Sequence, residues 1–164
     1  FFTDIRMKEN TKKFRKGIFV VIYKINLDNN IDKNKKTISY LLLKRNLHWK
    51  GWEFSKGGVE KGETNLETVK REVREESGLK PINETIKKYN LRGKYFYDKN
   101  TVKDRKYKGQ TYELFSAQIK KGKIKIDKRE HSDYKWVNFN KAIKMLKWKN
   151  QKRALKIVDK GLRK

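Results

Sequence analysis

Apolar residues along this chain gather in short dense runs separated by lysine-rich stretches, a pattern that predicts strands alternating with helices. Gly17-Ile-Phe-Val-Val-Ile-Tyr23 is β-branched and aromatic almost throughout, the composition of a buried strand. Thr37-Ile-Ser-Tyr-Leu-Leu-Leu43 reads as its hairpin partner, across a polar loop from Asn26 to Lys36. Leu47 to Phe54 leads toward an acidic segment over residues 57–79. Further strand-like stretches occupy Ile86 to Tyr97 and Thr111 to Lys120, around a polar loop from Asp98 to Gln110 that holds five basic residues. Tyr134 to Val137 forms one more short strand.

Helix signals are sharper. Thr64 with Glu67 makes a T-x-x-E capping box, and Gly78 followed by Pro81 supplies a stop. Between them Leu66, Val69 and Val73 recur at i, i+3 and i+7, which predicts the stripe that packs on a sheet. At ~100° per residue, Glu72, Glu75 and Glu76 share an arc beside that stripe, whereas Lys70 and Arg74 point elsewhere. Asn138 is placed to cap a second helix that uses Ala142, Ile143 and Leu146. A last helix begins near Asn150 and turns Leu155, Val158 and Leu162 inward. The element order implies an α+β or α/β sandwich built on a mixed sheet. Residues 1–13 read as a charged lead-in and 14–164 as a single domain, since 164 residues suffice for one core but not for two ordinary ones.

Composition narrows the chemistry. With no cysteine, thiolate nucleophiles, disulfides and Cys-ligated zinc are excluded, and a reducing compartment such as the cytoplasm is expected. His48 and His131 are the only histidines, and neither has a second histidine at ligand spacing, so zinc is not expected either. No apolar run approaches the ~20 residues that span a bilayer, and no secretory signal is expected. The net charge of +26 invites a polyanionic partner, RNA included. Compositional drift is the competing explanation. Lysine, asparagine and isoleucine abound, proline occurs once, and the lysines are scattered rather than set opposite aromatics.

Against that basic background, residues 57–79 hold six acids and four bases, whereas the whole chain holds 19 acids against 45 bases. A Glu-Glu pair on a helix is ordinarily a solvated face. Here the spacing Gly57-x5-Glu63-x7-Arg71-Glu72-Val73-x-Glu75-Glu76-x-Gly78-Leu79 resembles the Nudix box at every defined position. The resemblance implies a Nudix fold, an α/β/α sandwich around a central mixed sheet with the box helix on one face. It also implies a metal-dependent hydrolase of nucleoside diphosphates linked to another group. Glu72, Glu75 and Glu76 would be ligands of Mg2+, with Mn2+ able to substitute, and one of them would also serve as base. Arg71 would orient a carboxylate, Glu63 would support the loop, and Gly57 would make a tight turn that brings a carbonyl to the metal. Lys56 would touch substrate phosphate, or else be an ordinary surface lysine.

The flanks resemble one branch of that family, the asymmetrical diadenosine tetraphosphate hydrolases, over roughly residues 14–158. Trp52-Glu-Phe-Ser-Lys-Gly-Gly-Val-Glu-Lys-Gly-Glu63 is similar to its W-x-x-P-K-G-x-V-E-x-G-E approach, with Ser55 where proline is common. By that resemblance Tyr95 or Tyr97 would stack on adenine, Tyr134 would form the other wall, Glu130 would complete the metal site, and His131 would lie near the substrate. Tyrosines at strand positions are more often core than base platforms. Two alternatives stay open: removal of pyrophosphate or a cap from RNA 5′ ends, and a non-catalytic Nudix-fold protein bound to RNA or a ribosome. Oligomeric state is not legible.

Overall fold

A computed structural model describes residues 12–27 and 35–164. Eight strands form one mixed sheet: β1 (Phe14–Arg15), β2 (Gly17–Leu27), β3 (Lys36–Arg45), β4 (Gly51–Glu53), β5 (Ser55–Gly58), β6 (Lys87–Phe96), β7 (Gly109–Gln118) and β8 (His131–Val137). Among the described residues four α-helices accompany them: α1 (Asn65–Ser77), α2 (Lys99–Asp104), α3 (Phe139–Met145) and α4 (Lys149–Leu162). The expected hairpin of β2 and β3 is present and longer than its apolar runs, pairing from Tyr23↔Tyr40 to Leu27↔Lys36. Most of the expected loop between them, residues 28–34, lies outside the described residues, as do residues 1–11 of the lead-in. The expected loop from Asp98 to Gln110 contains α2, because Asp98 caps it by accepting from the Thr101 amide.

Alternation along the strands sends their side chains to two cores. Phe19, Val21, Tyr40, Leu42 and Leu114 join α3 and α4 on one face, whereas Ile18, Val20, Ile22, Leu41 and Leu43 join α1 on the other. The result is the expected α/β/α sandwich. Tyr40 ties α4 down, since its buried hydroxyl donates to Asp159 Oδ1 at 2.6 Å while Arg163 Nε holds Oδ2 at 2.9 Å. Tyr40→Phe leaves that half-partnered carboxylate under the sheet. The expected loss is about 1.5–3 kcal/mol, read as a lower melting temperature by roughly 2–4 °C per kcal/mol in a chain of this size.

What positions the acidic segment is a split in the sheet. β2 and β3 pair at one end and part at the other, and β4–β5 fills the gap. Glu53 pairs with Leu43 of β3, and two residues later Ser55 pairs with Val20 of β2. This wedge delivers the chain to the start of α1. Thr64 caps α1 as expected, accepting from the Glu67 amide while Glu67 accepts from the Thr64 amide, and Gly78 closes it at φ 74°.

One expectation about α1 fails. Leu66 is 46% exposed rather than part of the packing stripe. The buried arc runs through Thr68, Val69, Glu72, Val73 and Glu76, so the helix is rotated away from Leu66 and toward its glutamates. Two carboxylates therefore share the buried face with Val69 and Val73.

Candidate active site

Arginine side chains organise the acids. Arg71 on α1 donates from Nε to Glu63 Oε1 at 2.8 Å and from a terminal nitrogen to Oε2 at 3.0 Å, a two-pronged grip on the loop that precedes the helix. The same guanidinium reaches Glu72 at 2.8 Å, Glu75 at 3.3 Å and the Gly58 carbonyl at 2.9 Å. Every donor of this fork is directed at the box, which lysine could not reproduce. The grip holds the Glu63 carboxyl far below the usual carboxylate range, at about 2.

Glu72 and Glu76 differ from Glu75. The first two are buried one turn apart against the sheet, and Glu75 stands at the solvent rim. Burial pushes the Glu72 carboxyl up, and Arg71 only partly opposes it. Burial likewise drives Glu76 well up, with Glu72 as a second cause and Glu53 and Glu130 adding to it. Glu76 is 4% exposed, has no ion-pair partner among the described residues, and its Oε2 has no hydrogen bond. Ser55 Oγ faces it without completing a bond. Carboxylates packed this closely cannot all ionise without a cation between them.

Gly57 does not make a turn. It lies in β5 opposite Ile18, and the left-handed turn of the loop falls at Gly62, φ 81°. The demand at Gly57 is for space: a Cβ there would sit 1.9 Å from Glu72 Oε1 and 2.0 Å from its Cδ. Gly57→Ala must therefore displace the Glu72 carboxyl. If that carboxyl holds metal, the variant will keep its fold by circular dichroism and lose roughly 10–100-fold in Mn2+ affinity by titration. Unchanged affinity would mean that the contact does not matter.

A second arginine completes the site, and nothing in the local pattern points to it. Arg45, near the end of β3, donates to Glu53 Oε1 at 3.2 Å and to Glu130 Oε2 at 3.3 Å. Glu53 is wholly buried; burial would raise its carboxyl, yet Lys56, His131 and Arg45 together hold it low. His131 Nε2 lies 3.0 Å from Glu53 Oε1, and Lys56 Nζ lies 2.9 Å from Oε2 as an ion pair without hydrogen-bond alignment. Glu76, Glu130 and His131 bring ligand atoms within 4.8 Å of one another. The oxygen-rich donor set and the orphaned Glu76 Oε2 fit a hard divalent cation.

The other expected residues fall on both sides of the sheet. Lys56 lies over the rings of Trp49 and Tyr95, at 5.6 and 5.2 Å, on the α4 side. Tyr97 packs edge-on to Tyr95 and donates to Gln110 Oε1 at 3.2 Å, with Arg105 over its ring. Tyr134 is paired with Leu43 and shares the α1 face, so it does not oppose Tyr95 as a second wall. His131 is wholly buried behind the carboxylates. Sequence reasoning missed Glu53 and Arg45; an acid between Trp52 and Phe54 in a strand was the available signal for Glu53.

Comparison with known proteins agrees with this architecture. The NUDIX domain family matches residues 29–160. The asymmetrical bis(5′-nucleosyl)-tetraphosphatase of Mus musculus is 31% identical over 137 residues, covering 83% of this chain and 87% of the relative. An RNA pyrophosphohydrolase of Nitratiruptor sp. is 29% identical over 132 residues, covering 78% and 80%. Among solved structures, a C. elegans Ap4A hydrolase binary complex aligns with a TM-score of 0.68 at 22% identity, covering 91% of this chain and 98% of that one. Such a likeness speaks for the fold. With the family match spanning most of its length and the fold in agreement, the chain belongs to the Nudix domain family.

Proposed function

We propose that this chain is a Mg2+-dependent hydrolase, with residues 14–164 as its single domain, that cleaves the polyphosphate bridge of dinucleoside polyphosphates such as diadenosine tetraphosphate into ATP and AMP. One observation carries the metal-dependent hydrolysis: among the described residues Glu76 is a buried carboxylate with no ion pair and no hydrogen bond at Oε2, set among other acids in a chain of net charge +26. The mouse relative named as an asymmetrical tetraphosphatase supports the substrate class.

Glu72, Glu75, Glu76 and Glu130 would hold the cation, and the Gly57 carbonyl, which accepts from Gln110 Nε2 at 3.3 Å, would add a further oxygen. The chemistry such a cation supplies when bound is neutralisation of charge on the phosphoryl oxygens. Arg71 keeps Glu72 and Glu75 at fixed positions, so their orientation costs nothing further when substrate arrives. Glu75, exposed where Glu72 and Glu76 are buried, would take a proton from the attacking water. Tyr95 and Tyr97 would supply aromatic surface for a nucleobase, and Lys56, over the Tyr95 ring and paired with Glu53 at 2.9 Å, would connect it with the acids. The positive surface attracts the polyanion.

A second substrate class fits the same acids. RNA 5′ ends carry the same kind of anhydride, and the Nitratiruptor relative is named for that activity. A substrate panel with Mg2+ and mass-identified products separates the two. ATP and AMP from diadenosine tetraphosphate, lost in Glu75→Gln, is the expected result. Faster release of pyrophosphate from a 5′-triphosphorylated oligonucleotide would move the assignment to RNA. Tight, salt-sensitive RNA binding without turnover of either would overturn both.

A further inference from the structure

His131 has no role in the scheme above beyond standing close to the acids, yet its surroundings are unusually specific. The ring is fully buried, which is costly for a side chain with two polar nitrogens unless both are engaged. Only one is. Nε2 lies 3.0 Å from Glu53 Oε1, and an ionised carboxylate can only accept, so Nε2 carries the proton and donates. In the neutral ring that proton placement leaves a lone pair on Nδ1, and Nδ1 has no partner among the described residues. Glu76 also leaves a buried oxygen, Oε2, without a hydrogen bond among the described residues. Glu76, Glu130 and His131 place their ligand atoms within 4.8 Å of one another, a span that one cation can bridge.

The ring is also braced. Glu53 fixes the tautomer and is itself fixed by Arg45 at 3.2 Å, while Arg45 also grips Glu130 at 3.3 Å. A histidine whose far nitrogen donates to a buried carboxylate is the usual outer arrangement of a metal-bound imidazole. One arginine thus sets the orientation of the histidine and of the neighbouring carboxylate together.

We propose that His131 gives Nδ1 to the same cation that Glu76 and Glu130 hold, making the site a mixed nitrogen and oxygen site rather than an all-carboxylate one. The proposal rests on the metal site of the preceding subsection and adds a ligand to it. Imidazole favours first-row transition ions, whereas Mg2+ prefers oxygen donors alone. The site therefore discriminates less against Mn2+ and Co2+ than carboxylates alone would. Glu53 is a positioning residue, acting through the ring it holds.

The test is electron spin-echo spectroscopy of the full chain loaded with Mn2+. Expected is a ¹⁴N modulation from a bound imidazole that changes on ¹⁵N-histidine labelling. It should persist in His48→Gln, which removes the only other histidine. It should vanish in His131→Gln, along with roughly 10–100-fold of Mn2+ affinity and a smaller loss for Mg2+. If His131→Gln does not fold, the labelled wild type decides alone. Bound Mn2+ without nitrogen coupling would overturn this inference and leave the carboxylate site standing. Failure to bind Mn2+ at all would overturn both.

Discussion

Replacing Glu76 by glutamine will abolish metal-dependent turnover and, at the same time, raise the melting temperature of the metal-free protein. The two effects have one cause. A buried carboxylate without a counter-charge is tolerated in the fold only because something else is meant to neutralise it. Glu76 is 4% exposed, lacks an ion pair among the described residues and leaves Oε2 without a hydrogen bond. Glutamine keeps the shape and removes the ionisable group that burial disfavours, so the metal-free protein should gain about 1–3 kcal/mol. The same change removes a ligand whose cation stabilises developing charge by several kcal/mol, so activity should fall by roughly 10³-fold. Thermal melts in chelator and a turnover assay on the same preparation check both halves. A variant that melts lower than wild type would show that Glu76 is structurally supported in a way the present geometry does not contain.

Arg71→Ala is expected to be the most destabilising single change in the acidic segment. Its guanidinium holds Glu63 at 2.8 and 3.0 Å, Glu72 at 2.8 Å, Glu75 at 3.3 Å and the Gly58 carbonyl at 2.9 Å. Truncation leaves these groups facing one another with no cation among them. The expected loss is about 2–4 kcal/mol, between that of a charged hydrogen bond and that of a broken buried pair. Arg71→Lys should recover little, because an ammonium cannot grip Glu63 with two donors and still reach Glu72. Denaturant titration reads the stability. Recovery of full stability by lysine would mean that charge alone, and not the fork, matters.

The outline of the fold was legible because local signals agree with the tertiary result. Thr64, Glu67 and Gly78 are a complete set of helix-end signals, and they bound α1 where the structure has it. The apolar runs from Gly17 and from Thr37 found β2 and β3, whose long pairing only extends them. Leu66 misled because the hydrophobic pattern presumes that apolar residues define the buried face. In this helix Glu72 and Glu76 take part of that face, and Leu66 turns outward. At Gly57 the expected turn is a strand position packed against Glu72, since spacing marks the position but cannot tell a turn from a close approach.

Arg45 was not legible, and for Glu53 the sequence held only an acid between two aromatics, with nothing to pair it to His131. The hydrogen bond between Glu53 and His131 joins residues 78 apart in the chain. It exists only because β3 pairs with β4 on one edge and with β8 on the other. Histidine spacing argued against zinc, and it could not bring His131 together with Glu76 and Glu130. Spacing along one segment cannot see a ligand group that three strands and a helix bring together.

Calorimetric titration of Mn2+ into chelator-stripped wild type and Glu76→Gln tests the central claim most directly. The expected result is saturable binding to the wild type that weakens by at least 100-fold in the variant, about 2.7 kcal/mol at 1.36 kcal/mol per tenfold. Equal affinity in the two proteins, or no binding to either, would contradict a cation held at the buried end of the box helix.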